Sequence, residues 1–194
     1  IRKALEFDNR NYISLKEYHK VCEDNGISDK SQASYISQYL HDLGIILHFQ
    51  DDLELEDIVI LNPEWGTDAV YEVLDSKTVM DNKGEFNKGH LNQIWADKKY
   101  PKSKHSELLR LMMKFQLCYE IEGSGRYIAP QLLPVEEPVY DFNFKNSKKF
   151  KYSYSFMPKG IITRFIVRMH RYIKENLVWK SGVILETKGA TAEV

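Results

Sequence analysis

The sequence has few cysteines and no long apolar run. Its 194 residues include only two cysteines, Cys22 and Cys118, far apart along the chain. Two isolated cysteines do not indicate the disulfide framework of a small secreted domain. No run of about 18 apolar residues and no cleavable apolar leader is present, which argues against a membrane-spanning helix or a secretory signal. These absences favour a cytoplasmic protein.

Neither sign of charge dominates. The chain has 27 basic and 28 acidic residues and a formal net charge of -1. No overall field therefore draws it toward nucleic acid or an anionic membrane surface. Apolar residues make up 43% and charged residues 28%, which is typical of a globular protein with a hydrophobic core.

Catalytic and metal-binding motifs are also lacking. Gly84 and Gly89 have the spacing of a phosphate-binding loop, but His90-Leu91 replaces the Lys-Ser/Thr pair that would hold phosphate and magnesium. His19 and Cys22 have helical spacing, yet no second pair completes four zinc ligands. No G-x-S-x-G motif is present. We predict a non-catalytic interaction module with no catalytic residue, no metal site and no cofactor in this chain.

Local signals predict two helices, a β-hairpin and a third helix in the first part of the chain. Ser14 and Glu17 form a capping box at the start of the first helix. The second helix is predicted from Ser31 to Leu43, with an apolar face at helical spacing. The residues of that face are Ile36, Tyr39, Leu40 and Leu43. The hairpin strands are predicted at Ile45 to Phe49 and Ile58 to Leu61, and Asn62-Pro63 starts the third helix.

The same order recurs about 72 residues later. The apolar positions of the second helix map onto Leu108, Leu111, Met112 and Phe115, and those of the first hairpin strand map onto Leu117, Tyr119 and Ile121. Gly123-Ser124-Gly125 forms the tip of the second hairpin, and Tyr127 to Ala129 its returning strand. We interpret the two copies as tandem winged-helix-like units.

A proline-marked linker, Pro130 through Pro138, precedes a segment with a different pattern. Four aromatic residues alternate with polar ones and predict a strand: Phe150, Tyr152, Tyr154 and Phe156. Pro158 starts a predicted helix to about Lys174, and Leu177 to Leu185 predicts another strand. The predicted fold is therefore α+β, with two winged-helix-like helical units and then a partial strand-helix-strand sheet subdomain. The corresponding domains are 1–135 and 136–194, the second of them truncated.

Winged helices often bind DNA, so a nucleic-acid-binding module is the alternative function. The predicted recognition helix, Ser31 to Leu43, has no Arg or Lys, and the hairpin tip carries acidic residues that would face phosphates. A basic stripe lies instead on the last predicted helix, where Arg164, Arg168 and Arg171 follow i, i+4, i+7. We expect this stripe to contact another domain or subunit rather than a membrane.

Several motifs together resemble one family. The segment Tyr39-Leu40-His41-Asp42-Leu43-Gly44-Ile45-Ile46-Leu47-His48-Phe49-Gln50-Asp51, followed by Ile60-Leu61-Asn62-Pro63-Glu64-Trp65, is similar to the COR region of Roco proteins. Further support comes from Leu111 through Gln116, Tyr127-Ile128-Ala129-Pro130, Phe156-Met157-Pro158-Lys159-Gly160 and Trp179-Lys180-Ser181-Gly182-Val183. The resemblance spans roughly Ser31 to Leu185.

The resemblance implies a function. In Roco proteins a GTPase domain, Roc, lies directly before COR, so GTP and magnesium are expected in that upstream domain. COR itself does no chemistry: its first half packs on the GTPase and its second half mediates homodimerisation, which couples nucleotide state to oligomeric state. Tyr127 matches a family position at the GTPase contact, and His48 and Phe49 are weaker candidates for the same surface. The arginine stripe is the candidate dimer or domain contact.

The ends of the sequence predict a fragment of a larger protein. The chain begins at Ile1 rather than Met, and it ends at Val194 in a segment with the pattern of a strand. The resemblance places the Roc GTPase upstream of this sequence, and its second half stops at Val194. The predicted partners are a Roc domain in cis and a second copy of the full protein.

Overall fold

A computed structural model describes residues 1–142, 147–158 and 160–194. By its internal contacts the chain forms two compact units. The first unit comprises Ile1–Val73 and Trp95–Leu111, and the second comprises Leu74–Ile94 and Met112–Val194. None of the helices in the described ranges has the length and apolarity needed to cross a bilayer.

The chain begins with a helical half that contains two small sheets. Its elements are α1 (Arg2–Glu6), β1 (Tyr12–Ser14), α2 (Leu15–Asp24), α3 (Lys30–Asp42), β2 (Ile58–Ile60), α4 (Pro63–Leu74), α5 (Lys77–Asp81), β3 (Glu85–Asn87), α6 (Lys88–Ile94), α7 (His105–Lys114), β4 (Tyr119–Ile121) and β5 (Arg126–Ile128). The capping box at the start of α2 is confirmed, because Ser14 accepts from the Glu17 amide and Glu17 accepts from the Ser14 amide. Asn62 likewise accepts from the Glu64 amide at the start of α4.

The predicted repeat is confirmed in the strand pairing. β1 pairs antiparallel with β2, and Leu47 forms an isolated bridge to Ile60. The strand predicted at Ile45 to Phe49 is therefore wrong, because a single bridge is all that forms there. β3 pairs antiparallel with β5, and Tyr119 of β4 pairs with Ile128. Leu47 and Tyr119 are the predicted counterparts, and each pairs with the last residue of its returning strand. Both copies thus have the order short helix, strand, helix, helix and a returning strand, beginning at α1 and α5. A two-stranded hairpin forms in the second copy, and a single bridge takes its place in the first. The description as winged helices stays our interpretation.

The buried face of α3 differs from the prediction. Leu40 is buried as expected, but Tyr39 is 59% and Leu43 51% exposed. Ala33 and Ser37 occupy the core side instead. The helical pattern was misjudged because Ser37, although polar, is buried against His48, with which it forms a hydrogen bond. The prediction for α4 is confirmed, since Trp65, Ala69, Val70 and Val73 are all buried.

The last part of the chain is a helix followed by an antiparallel sheet. It comprises α8 (Ile161–Met169), a 3-10 turn (His170–Tyr172), β6 (Ile173–Trp179), β7 (Gly182–Thr187) and β8 (Ala190–Glu193), with strand order β6-β7-β8. The predicted single strand from Leu177 to Leu185 is wrong: Lys180-Ser181 turns the chain between two strands. The predicted helix to Lys174 is also too long, and Lys159, near its start, lies outside the described residues.

The strand predicted around Phe150 to Phe156 is not observed in residues 147–158, and the order strand-helix-strand is therefore wrong. Phe150, Tyr152 and Phe156 are each about 80% exposed. Alternation makes one side of a segment apolar, but a strand also needs a neighbouring edge to accept its backbone hydrogen bonds. Residues 143–146 lie outside the described part of the chain.

Close packing explains two of the glycines. A β-carbon at Gly182 would lie 2.2 Å from the Trp179 ring, so the ring covers this residue directly. At Gly84 the φ angle is +85°, and a β-carbon would lie 2.6 Å from the Ala129 carbonyl oxygen. The Ala129 amide donates to the Gly84 carbonyl. Gly84, the first glycine of the phosphate-loop spacing, therefore serves backbone packing.

Candidate functional site

Tyr127 lies at the centre of a small sheet. It occupies the middle residue of β5, the central strand, between Phe86 on β3 and Glu120 on β4. Its side chain is 5% exposed, and its ring stacks on Phe86 with centroids 5.7 Å apart. Tyr127 is thus almost fully buried and presents little of its side chain to solvent. Its role as a GTPase contact stays a prediction.

His48 is a buried histidine with both ring nitrogens in hydrogen bonds. Nδ1 bonds to the Ser37 hydroxyl, and Nε2 lies 2.8 Å from the Glu56 carbonyl oxygen. Since a carbonyl only accepts, the Nε2 proton donates to Glu56 and Nδ1 accepts from Ser37. The ring therefore ties α3 to the loop before β2. Phe49, half-buried beside it, packs edge-on against His41, and the proposed contact role of both residues is untested.

Burial lowers the pKa of His48 below its usual value of 6.5, because the charged imidazolium loses solvation, although the Glu56 carbonyl partly opposes the shift. In the unfolded chain His48 takes up a proton at higher pH than in the folded chain. The free energy of unfolding should therefore fall as the pH drops through and below about 6.5.

We predict that His48→Gln removes part of this pH dependence. Denaturant unfolding at pH 7.5 and pH 5.5 should show a larger loss of stability in the native protein than in the variant. The comparison uses each protein's own value at pH 7.5, since the substitution also alters buried hydrogen bonds. Equal losses in the two proteins would contradict a neutral buried His48.

The three arginines do not share one helical stripe. Arg164 and Arg168 are exposed on α8, and Arg168 donates to the Gln116 side chain at 3.2 Å. Arg171 lies beyond the end of α8, on the following 3-10 turn, because the helix stops at Met169. The apolar side of α8 packs with Ile166 into a core shared with the β6-β7-β8 sheet. The helix thus leaves two arginines available to a partner.

Arg171 lines a cleft in the second compact unit. The cleft has a volume of about 460 Å³ and is lined by residues of the β3-β5-β4 sheet and of β6. Its lining combines apolar residues such as Ile128 and Leu133 with both signs of charge, including Glu120 and Arg171. Glu175 and Asn176 interrupt β6 with positive φ angles of 47° and 63°. This irregularity accompanies a shift in the β6-β7 register.

The acidic hairpin tip contains a buried ion pair that the sequence did not predict. Asp52 is 3% exposed, and the Arg110 Nε donates to both of its carboxylate oxygens, at 2.9 and 3.1 Å. Hydrogen bonding to Asp52 raises the pKa of Arg110. The two residues are 58 positions apart, so no local pattern could reveal the pair. Asp51 and Glu54 remain exposed on the same loop, which disfavours contact with phosphates.

No group of three His, Cys, Asp or Glu side chains suited to a metal ion is found within the described residues. Cys22 and Cys118 are free and buried. Burial raises the pKa of the Cys118 thiol to about 12. The thiol is therefore protonated at neutral pH and unsuited to nucleophilic attack.

The geometry describes a mixed helix-and-sheet protein with a repeated helical half and a three-stranded sheet. Two family models match it: "C-terminal of Roc, COR-A domain" over residues 1–133 and "C-terminal of Roc, COR-B domain" over residues 145–194. The chain belongs to the COR family of Roco proteins, as its motifs indicated.

Similar proteins carry this region within longer chains. A Roc-COR-CHAT protease from Runella zeae is 33% identical over 190 residues, covering 96% of this chain and 20% of that protein. The "probable serine/threonine-protein kinase pats1" of Dictyostelium discoideum is 27% identical over 175 residues, covering 82% of this chain and 6% of the kinase. This chain therefore spans a fifth or less of each relative.

A solved structure shares the fold. Roco2 of Methanosarcina barkeri, as a RocCORdC protein bound to GDP, superposes with a TM-score of 0.61 at 34% identity. The match covers 68% of this chain and 42% of that one.

Proposed function

We propose that this chain is a non-catalytic scaffold that packs against an adjacent Roc GTPase domain and couples its nucleotide state to dimerisation. The supporting observation is the match of the two COR models, both named for a position C-terminal of Roc, to most of the chain. The GDP-bound Roco2 relative is consistent with nucleotide binding outside the region described by this sequence. In this proposal GTP and magnesium bind the Roc domain.

In this proposal the two halves of the chain have different contacts. Residues 1–135 form the GTPase-binding half, and residues 136–194 begin the half that dimerises. Tyr127, His48 and Phe49 remain candidates for the first contact; because Tyr127 and His48 are buried, they would act mainly by shaping the surface around them. Arg164 and Arg168 are exposed on α8 and suit an acidic surface of a second copy. Arg171 would contribute from the following turn.

The test uses the full-length protein in its GDP state and with a non-hydrolysable GTP analogue. We predict that sedimentation velocity shows a different monomer–dimer balance in the two states, because coupling of about 1–3 kcal/mol changes an association constant several-fold or more. Arg164→Glu should weaken the dimer in the state that favours it. Lys16→Glu reverses an exposed charge on α2 and should not.

The outcomes separate the two claims. The same dimer fraction in both nucleotide states of the native protein would overturn the coupling. Coupling that persists unchanged in Arg164→Glu would remove α8 from the dimer contact and leave the coupling intact.

A further inference from the structure

One face of α3 is exposed in the first repeat, whereas the corresponding face of α7 is buried in the second repeat. Tyr35, Tyr39 and Leu43 lie on the solvent side of α3, and Tyr35 and Tyr39 are 78% and 59% exposed. The counterpart of Tyr39 on α7 is Leu111, which is fully buried. In both copies the first strand pairs with the last one, so this difference concerns what lies over α3 and over α7.

In the second repeat the cover is α4. A β-carbon at Gly66 on α4 would lie 2.9 Å from the Leu111 Cδ2 atom, so the helices are in close contact at this point. Five residues on the apolar side of α4 are buried: Trp65, Gly66, Ala69, Val70 and Val73. A small residue such as Gly66 allows two helices to approach closely, with a large side chain of one against the backbone of the other.

The position of α4 along the chain identifies its counterpart in the first repeat. α4 is followed directly by α5, and α5 is followed by β3. In the first repeat α1 is the counterpart of α5: it precedes β1, and its Leu5 is buried as Val79 is in α5. The counterpart of α4 would therefore be a helix that immediately precedes α1, in the residues before Ile1.

We propose that in the full protein the segment directly before Ile1 forms a helix that packs on the Tyr35, Tyr39 and Leu43 face of α3. The occupant is assigned by the repeat, since the same element covers the same position in the second copy. Attachment at α1 also holds the segment at a high effective concentration near α3, because α1 packs through Leu5 into the same core as Leu40. Large aromatic side chains suit such a contact, because they bury much area at little conformational cost.

The inference rests on the proposed function in one respect: both require that the full protein has further residues before Ile1. If a Roc domain stands there, this helix is the connection through which that domain reaches the first repeat. The contact surface would then be centred on α3 rather than on Tyr127.

Hydrogen–deuterium exchange on the full-length protein tests the proposal. We expect the amides of the dozen or so residues before Ile1 to be protected, and Tyr39→Glu to increase their exchange roughly tenfold or more. Tyr71→Glu is the matched control, because Tyr71 is also an exposed helical tyrosine, at 62%; it should leave that segment protected. Protection of the β2 amides in both variants reports that the first repeat remains folded.

Three results would overturn the proposal. They are rapid exchange of the segment in the native protein, an equal response to both variants, and a response to Tyr39→Glu confined to the GTPase domain or to a second copy. A response confined to the GTPase domain would nevertheless support the scaffold function, so the two proposals fail separately.

Discussion

Arg110→Ala should lower the free energy of unfolding by about 3 kcal/mol, because it removes the Arg110 guanidinium from the buried carboxylate of Asp52. Asp52 still accepts from the Glu54 amide at 3.3 Å, and Arg110 keeps a third of its side chain exposed. The expected loss is therefore at the lower end for a broken buried pair. Denaturant unfolding followed by circular dichroism gives the measurement.

Two further variants separate burial from charge. Arg2→Ala removes an exposed pair with Glu6 and should cost less than about 1 kcal/mol. Adding Asp52→Asn to Arg110→Ala should restore part of the lost stability, because the buried group is then neutral. A loss for Arg110→Ala no greater than that for Arg2→Ala would show that the pair does not hold the acidic loop.

Trp65→Ala should cost about 3–5 kcal/mol, as large-to-small substitutions of buried aromatic residues do. Trp65 is 1% exposed, and its ring packs against Tyr12 and Tyr100 with centroids 5.1 and 6.0 Å away. The indole N–H also donates to the Lys99 carbonyl at 2.8 Å. Alanine therefore loses both the packing and the hydrogen bond. Thermal and denaturant unfolding should agree on the size of the loss.

Trp65→Phe separates the contribution of the hydrogen bond from that of the packing, because it keeps most of the ring packing and loses the N–H donor. We expect a loss of about 1–2 kcal/mol from this variant. Tyr71→Ala, at an exposed position on the same helix, should change stability by less than about 0.5 kcal/mol. If the phenylalanine variant were as unstable as the alanine variant, the hydrogen bond would outweigh the packing.

Local signals predicted the elements whose causes are themselves local. Ser14 and Glu17 lie three residues apart, and their reciprocal bonds form within that span. The repeat was also visible in the sequence, because corresponding residues fill corresponding places in each small sheet. Membership of the COR family followed from motifs spread over most of the chain.

Predictions failed where distant residues decide the outcome. Ser37 enters the core because His48 meets it there, and helical spacing alone assigned Tyr39 to that side. Alternation around Tyr152 could not reveal whether an edge was available to pair with it. The β6-β7 turn was missed for a different reason: the apolar residues on either side of Lys180-Ser181-Gly182 were joined into one strand, although Ser-Gly is itself a turn signal.

The placement of the candidate contact residues was predicted in part, while their contact roles stay predictions. Arg164 and Arg168 are exposed on a helix, as their spacing on an amphipathic segment indicated. Arg171 left that helix because the chain turns into β6 after Met169. The burial of His48 follows from contacts with Ser37 and Glu56, which adjacent residues in the sequence do not reveal.

In each repeat the first strand pairs with the last one, and this has a consequence for synthesis. β1 can pair only after β2 has been synthesised, and β3 can pair only after β5 has been synthesised. As the chain leaves the ribosome, α2 and α3 emerge before the strand that completes their sheet. Because such non-local pairing is slow to form, each repeat should acquire its fold in a single late step once its hairpin has emerged. Until then the buried side of α3 is exposed to chaperones and to other nascent chains.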